Sequence, residues 1–295
     1  MNTFEHNDYP ALYQASDKVS NETQSKYLLL MKSNIYLLIL ASIFSYLGIT
    51  STTLAILSAL VFIITIILNI VLMSKNYPDT WYRARSIAES VKTSTWRFMM
   101  GAEPFSSKNT AENNQKFVEL IGEILKETKD DIASKFDSSY HSKALLTDKI
   151  ENSLKLKIQD KISLYLEYRI KEQRNWYAKK TKYNQKIYNR WFWTMIILQF
   201  VAITLVLARI AYPTISYLSP EIVAVMITGI LTWIQLKKYR ELSASYSFTA
   251  HEIGIIESKF KNIKTASELS DFVRDAENAF SREHTQWIAR KDSIS

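Results

Sequence analysis

LAILSALVFIITIILNIVLM, residues 54–73, runs twenty positions without a formal charge, and its reading decides the fold. A second run, WFWTMIILQFVAITLVLA at 191–208, does the same over eighteen positions. A helix needs about 20 mostly apolar residues to cross a ~30 Å hydrocarbon core, so both runs are long enough to span a bilayer. Each has a shorter apolar neighbour, 35–50 before the first and 222–235 after the second. These become credible spans by packing antiparallel against their long partners. The mean hydropathy of −0.11 hides the pattern, because it averages apolar helices with a strongly charged remainder. The sequence predicts an all-α membrane protein with two transmembrane helical hairpins, four spans in all, and long cytoplasmic amphipathic helices. The expected domains are 10–155, with spans at 35–50 and 54–73, and 156–295, with spans at 191–208 and 218–236.

Charge orients these hairpins. The formal net charge is +8, and it lies between positions 74 and 190, where 23 Lys and Arg face 15 Asp and Glu. Lys75, Arg83 and Arg85 follow the second span. Lys179, Lys180, Lys182, Lys186 and Arg190 precede the third, and Lys237, Lys238 and Arg240 follow the fourth. The first hairpin tip carries no charge, and the second is flanked only by Arg209 and Glu221. Positive residues stay inside, so the expected location is the inner (plasma) membrane, multi-pass, with both termini and the central segment cytoplasmic. Flanking Lys and Arg also account for the pI of 9.3 without invoking nucleic acid as a partner. Glu5, Asp8 and Asp17 precede the first apolar run, which is not the pattern of a signal peptide. There is no Cys, which removes disulfides and thiolate metal sites and fits a protein whose bulk faces a reducing compartment.

The five Gly and five Pro punctuate a helical chain. Neither type occurs from 123 to 212, which argues for long helices and against a sheet. Neither occurs from 11 to 47, so a polar helix should run straight into the first span. Pro78-Asp79 reads as a stop and an N-cap, and Ser219-Pro220-Glu221 as the opening of the fourth span. Thr265-x-x-Glu268 reads as a capping box. Apolar residues over 112–136 recur at three-and-four spacing, and a helix break is expected near 153–157, followed by a helix from about 160 through the third span.

Two sets of residues are candidates for function. Ser58, Thr65 and Asn69 share a face of the second span, and Thr228, Thr232 and Gln235 share one on the fourth. They would line a pore if several copies assemble, or more plainly bond their own backbone and join helix to helix. The second set comprises Trp81, Arg85, Glu89, Lys92 and Trp96 after the second span, Arg169, Gln173 and Trp176 before the third, and Glu277, Glu283 and Trp287 near the end. Arg85 with Glu89, and Glu89 with Lys92, sit at ion-pairing separations. Such a ladder is usually a solvated face, but the bracketing Trp favour an interface or a ligand-sensing surface. The four scattered His and the spaced Gly offer no metal cluster, phosphate loop or nucleophile–base pair, so no enzyme and no cofactor are expected.

RARSIAESVKTSTWRFMMGAEPF after the first hairpin resembles the SLATT proteins, the SMODS- and SLOG-associating two-transmembrane effector domains. So do YRIKEQRNWYAKK before the second hairpin and FVRDAENAFSREHTQW near the end. The distinctive string is Arg83, Ala84, Ala88, Glu89, Ser90 and Lys92. The chain looks like two such domains in tandem. The resemblance implies a prokaryotic membrane effector of a nucleotide-signalled defence or antiviral system, forming a pore or disrupting the membrane as a homo-oligomer. Its implied partners are membrane lipid and a nucleotide second messenger or signalling enzyme. The rival expectation is a non-conducting scaffold that recruits a cytoplasmic partner.

Overall fold

The computed structural model describes residues 4–128, 130–140, 143–212, 219–260 and 263–292, with backbone alone at 127, 130, 131 and 282–292. The described secondary structure is helical throughout. Helix α1 is Ala11–Leu47, α2 Thr52–Ser74, α3 Tyr77–Met100, α4 Thr110–Glu127, α5 Asp130–Ala133 and α6 Asp148–Leu154. Helix α7, Ile158–Tyr165, passes through a π turn at Leu166–Lys171 into α8, Glu172–Ala211. Helices α9, Pro220–Lys237, α10, Tyr239–Lys259, and α11, Ala266–Asp292, complete the chain. Four helices are long and apolar enough to cross a membrane: Ala11–Leu47, Thr52–Met100, Ile158–Ala211 and Pro220–Lys259.

The expected uninterrupted first helix is present as α1, and the expected break falls between α6 and α7. The capping box is also formed: Thr265 N–H donates to Glu268 Oε2 at 3.0 Å, and Glu268 N–H to Thr265 Oγ1 at 3.3 Å. Three local expectations change. Asn76, at φ +43°, makes the turn after α2, and Tyr77 already opens α3. Asp79 thus lies in the first turn and pairs with Arg83 at 2.9 Å instead of capping. Ser219 is the N-cap residue of α9 by position, yet its hydroxyl donates to Glu221 Oε2 at 2.8 Å rather than accepting a backbone N–H. The amphipathic stretch over 112–136 is interrupted at Thr128, whose extended backbone ends α4 while its hydroxyl donates to Ile124 O at 2.8 Å. Ile132, beyond that break, packs with Val19 and Ala84.

The chain forms two compact units, and these are not its sequential halves. One is drawn from residues 1–24, 78–177 and 248–295, the other from 25–77 and 178–247. The first has a dense core. Ala84, Ala88, Val91, Trp96 and Met99 on α3 are fully buried. Phe98 stacks on Phe117 with centroids 4.3 Å apart, and Phe105 meets both edge-on. Helix α3 stops in a Schellman turn: Gly101 sits at φ +69°, and Ala102 N–H returns to Arg97 O at 2.9 Å.

The second unit is apolar outward. Helix α2 buries Ser58, Val61 and Thr65 while Ile56, Leu60, Ile63, Ile67 and Ile70 are each more than half exposed. Helix α8 likewise exposes Ile197, Phe200, Ile203 and Leu207. In water this pattern forfeits the apolar burial that drives folding, whereas in hydrocarbon the seam between helices prefers small and polar side chains. Ser58 provides one such contact, donating to Ala41 O at 3.0 Å, with Ala41 fully buried. Gly229 provides another: a Cβ there would lie 2.8 Å from Ile35 Cγ2, so the fourth span crosses the first closely. Gly48 closes the first hairpin, where a Cβ would fall 2.8 Å from Ala55 N and 2.9 Å from Phe44 O, both backbone atoms.

Candidate functional site

The second set of candidate residues converges within the first unit. Helical steps of four place Arg85 and Glu89 on one stripe of α3, and Arg85 Nη2 meets Glu89 Oε1 at 2.7 Å. The same guanidinium reaches Asp17 on α1 at 3.2 Å. One turn on, Lys92 Nζ stands 6.0 Å from the Tyr9 ring centroid. One further turn on, Trp96 is fully buried, and its indole N–H donates to Tyr9 Oη at 2.8 Å. Sequence reasoning missed Tyr9, Tyr13 and Asp17: the last two share a face of α1 four positions apart, while Tyr9 lies in the extended segment before it.

The π turn brings in the opposing charge partner. It turns Arg169 and Ile170 inward, where Arg169 is 2% exposed. Arg169 Nε donates to Glu277 Oε1 at 2.8 Å and Nη2 to Oε2 at 2.6 Å, a bidentate pair between the π turn and α11. The Tyr165 hydroxyl donates to the same Oε1 at 2.9 Å, and the guanidinium lies 4.7 Å from the Phe280 ring centroid. Burial, the largest single influence, would lower the Arg169 pKa, but the Glu277 charge and hydrogen bond together with Tyr9 and Tyr165 outweigh it and hold the guanidinium firmly protonated. Burial, then the Glu277 charge, push the Tyr165 hydroxyl well above its ordinary value. Burial raises Tyr9 as well, against the opposing Arg169 charge. Lys92 moves the other way: burial lowers its pKa, Glu89 opposes that, and Arg169 and Arg85 reinforce it. The result is a cluster of three cations, three carboxylates and buried tyrosines, closed at Arg169 and Glu277 and partly open at Arg85, whose side chain is 37% exposed.

Its placement bears on the interface expectation. Trp96, Arg169 and Glu277 are buried within the first unit. Trp81 stacks on Tyr82 at 4.6 Å, half-buried, while Trp176 is 38% exposed beside Tyr177, and Gln173 is half-buried. Glu283 and Trp287 fall on α11 where side chains lie outside the described residues.

The pore-lining candidates separate in the second unit. Ser58 and Thr65 are buried, Thr65 donating to Phe62 O at 2.7 Å. Asn69 accepts from Asn34 Nδ2 at 2.9 Å across the first hairpin. Ser58 and Asn69 therefore join α2 to α1, while the Thr65 hydroxyl bonds its own helix. Thr228 donates to Ala224 O and Thr232 to Thr228 O, each at 2.9 Å, and Thr228 and Gln235 are exposed. Among the described residues, no three His, Asp or Glu converge as metal ligands would.

Four long apolar helices and an apolar-outward unit define a multi-pass helical membrane protein. Residues 10–153 match the family profile described as SMODS and SLOG-associating 2TM effector domain 3, and residues 165–287 match SMODS and SLOG-associating 2TM effector domain 1. The chain belongs to the SLATT family and carries two SLATT domains in tandem. No curated protein and no solved structure matches it.

Proposed function

We propose that this chain is a membrane effector of a prokaryotic nucleotide-signalled defence system, and that copies of it assemble to open the plasma membrane. Association of SLATT domains with SMODS and SLOG systems supports the setting. The observation that carries the membrane-opening step is the polar stripe of α9. Gln235 is exposed where the apolar run of α9 ends and marks the wet mouth of the stripe, while Thr228 and Thr232 lie within the run. Thr228 is exposed on the same stripe, its hydroxyl bonded only to its own helix. Polar side chains within a bilayer face protein or water rather than lipid, so this stripe belongs against further copies or a lumen. Four spans are too few to enclose an aqueous path, so rotational assembly supplies the rest.

Reconstituted protein is expected to release dye from loaded liposomes, and Thr228→Leu/Thr232→Leu/Gln235→Leu to release it several-fold more slowly at equal incorporation. Sealed liposomes with the parent protein would favour the scaffold reading; equal release by the triple variant would remove α9 from the lumen.

We also propose that both termini and the central segment face the cytoplasm, on the strength of the Lys and Arg flanking the spans and the bare first tip. A chain without Cys makes the check clean. In intact cells Ser51→Cys is expected to react with an impermeant maleimide and Ser138→Cys to stay protected. The reverse labelling would invert the topology.

A further inference from the structure

A second cationic cluster, in the membrane unit, lies apart from the charge network described above. At the end of α9, Lys237 Nζ stands 6.0 Å from the Trp233 ring centroid and 5.9 Å from that of Tyr239. Tyr239 opens α10, and one turn on Ser243 Oγ bonds Thr181 O and Gln185 Oε1 on α8, on either side of Tyr183 in sequence. One turn before Tyr183, Lys180 Nζ lies 5.8 Å from its ring centroid, and the Lys180 charge acts on Lys237. Each ammonium thus lies over aromatic rings, Lys180 over Tyr183 on α8 and Lys237 over Trp233 and Tyr239 at the joint between α9 and α10.

Several features hold this arrangement in place. Lys238, at φ +47°, breaks the helix between Lys237 and Tyr239 in a left-handed conformation that a Lys rarely adopts. Ser243 Oγ, one turn into α10, bonds Thr181 O at 3.2 Å and Gln185 Oε1 at 3.3 Å, which locks α10 onto α8. Tyr239 is only 6% exposed. Among the described residues no carboxylate lies within ion-pairing distance of Lys237, although Glu241 follows four positions later. Two like charges held near each other favour an anion between them. The cluster sits where the apolar run of α9 ends, the depth at which Trp and Tyr rings and lipid headgroups meet. Below it, α8 exposes Trp193, Ile197 and Phe200 as a surface for acyl chains.

We propose that Lys180 and Lys237 bind the phosphate of an anionic phospholipid, with Tyr183, Trp233 and Tyr239 forming the walls of the headgroup site. The inference rests on the reading that α8 and α9 cross a membrane. It adds a specific lipid site to that reading.

The test uses the full chain purified in detergent. Lipid retained per protein is measured by native mass spectrometry during titration with phosphatidylglycerol or phosphatidylcholine. Phosphatidylglycerol is expected to be retained preferentially. Neutralising either lysine as Lys180→Gln or Lys237→Gln should weaken it about five-fold, and neutralising both about thirty-fold. Lys180→Arg/Lys237→Arg should restore retention, which separates charge from folding. Lys182→Gln/Lys186→Gln, on the same helix, should leave it nearly unchanged; equal loss there would reduce the site to a diffuse basic belt and overturn the proposal. Displacement of the lipid by inorganic phosphate at comparable concentrations would assign the site to a free anion and overturn it too. Flotation of the parent protein with phosphatidylcholine vesicles is measured alongside. Failure to float sinks the membrane reading itself, whereas flotation without any lysine effect sinks only this site.

Discussion

Glu277→Ala is expected to destabilise the protein by about 3–5 kcal/mol, the cost of stranding the buried Arg169 guanidinium without its partner. Both side chains are essentially inaccessible, so water cannot replace the lost carboxylate. Glu277→Gln should recover little of this, because the amide keeps the shape and an acceptor for Tyr165 but leaves the positive charge unbalanced. Arg169→Met/Glu277→Leu should approach the parent stability, since removing both charges also removes both desolvation costs. Thermal or denaturant unfolding in detergent, read by near-ultraviolet circular dichroism, measures all three. A loss below about 1 kcal/mol for Glu277→Gln would mean that the pair is solvated or unformed. Tyr165 has a raised pKa, so the folded state keeps a proton that the unfolded chain releases at about 10. Its contribution is therefore full below that value and is lost as the pH climbs through the folded one.

Trp96→Ala should cost a similar 3–5 kcal/mol, by a different route. Trp96 is fully buried, with Phe4 at 5.2 Å and Tyr165 at 5.7 Å between ring centroids, and truncation leaves a cavity that these rings cannot all move to fill. It also removes the indole N–H donated to Tyr9. Trp96→Phe separates the two terms: most of the volume stays, and the lost donor should cost about 1–3 kcal/mol. A Trp96→Phe variant as damaged as Trp96→Ala would show that the polar contact, not the packing, carries this position. Trp96 and Glu277 both meet Tyr165, so their effects should be non-additive in the double variant.

The spans are legible in the sequence because an apolar run of eighteen to twenty residues without a charge matches the thickness of a bilayer. The Thr265–Glu268 box and the break after Leu154 are legible because caps and breaks are set by a few adjacent side chains. What helical period cannot say is which face of α3 points inward. It groups Arg85, Glu89, Lys92 and Trp96 correctly, but a stripe of charges reads as solvated until Tyr9 and Arg169 are found beside it. Arg169 and Glu277 stand 108 residues apart, and no local pattern joins them. The composition of the first unit, gathered from three separated stretches, is hidden for the same reason. The second-span trio is legible as a face, and the helix-joining role of Ser58 and Asn69 follows from the partners Ala41 and Asn34.

The wide turn at Leu166–Lys171 has a bearing on how this chain tolerates length changes. Such a turn is an ordinary helix carrying one surplus residue, and each residue adds about 100° of winding. Deleting one position there would let the rod straighten into regular coiling. The start of α8 within the first unit, residues 172–177, would then be turned by about that angle relative to α7. The count of residues in this short stretch therefore acts as the setting of a dial.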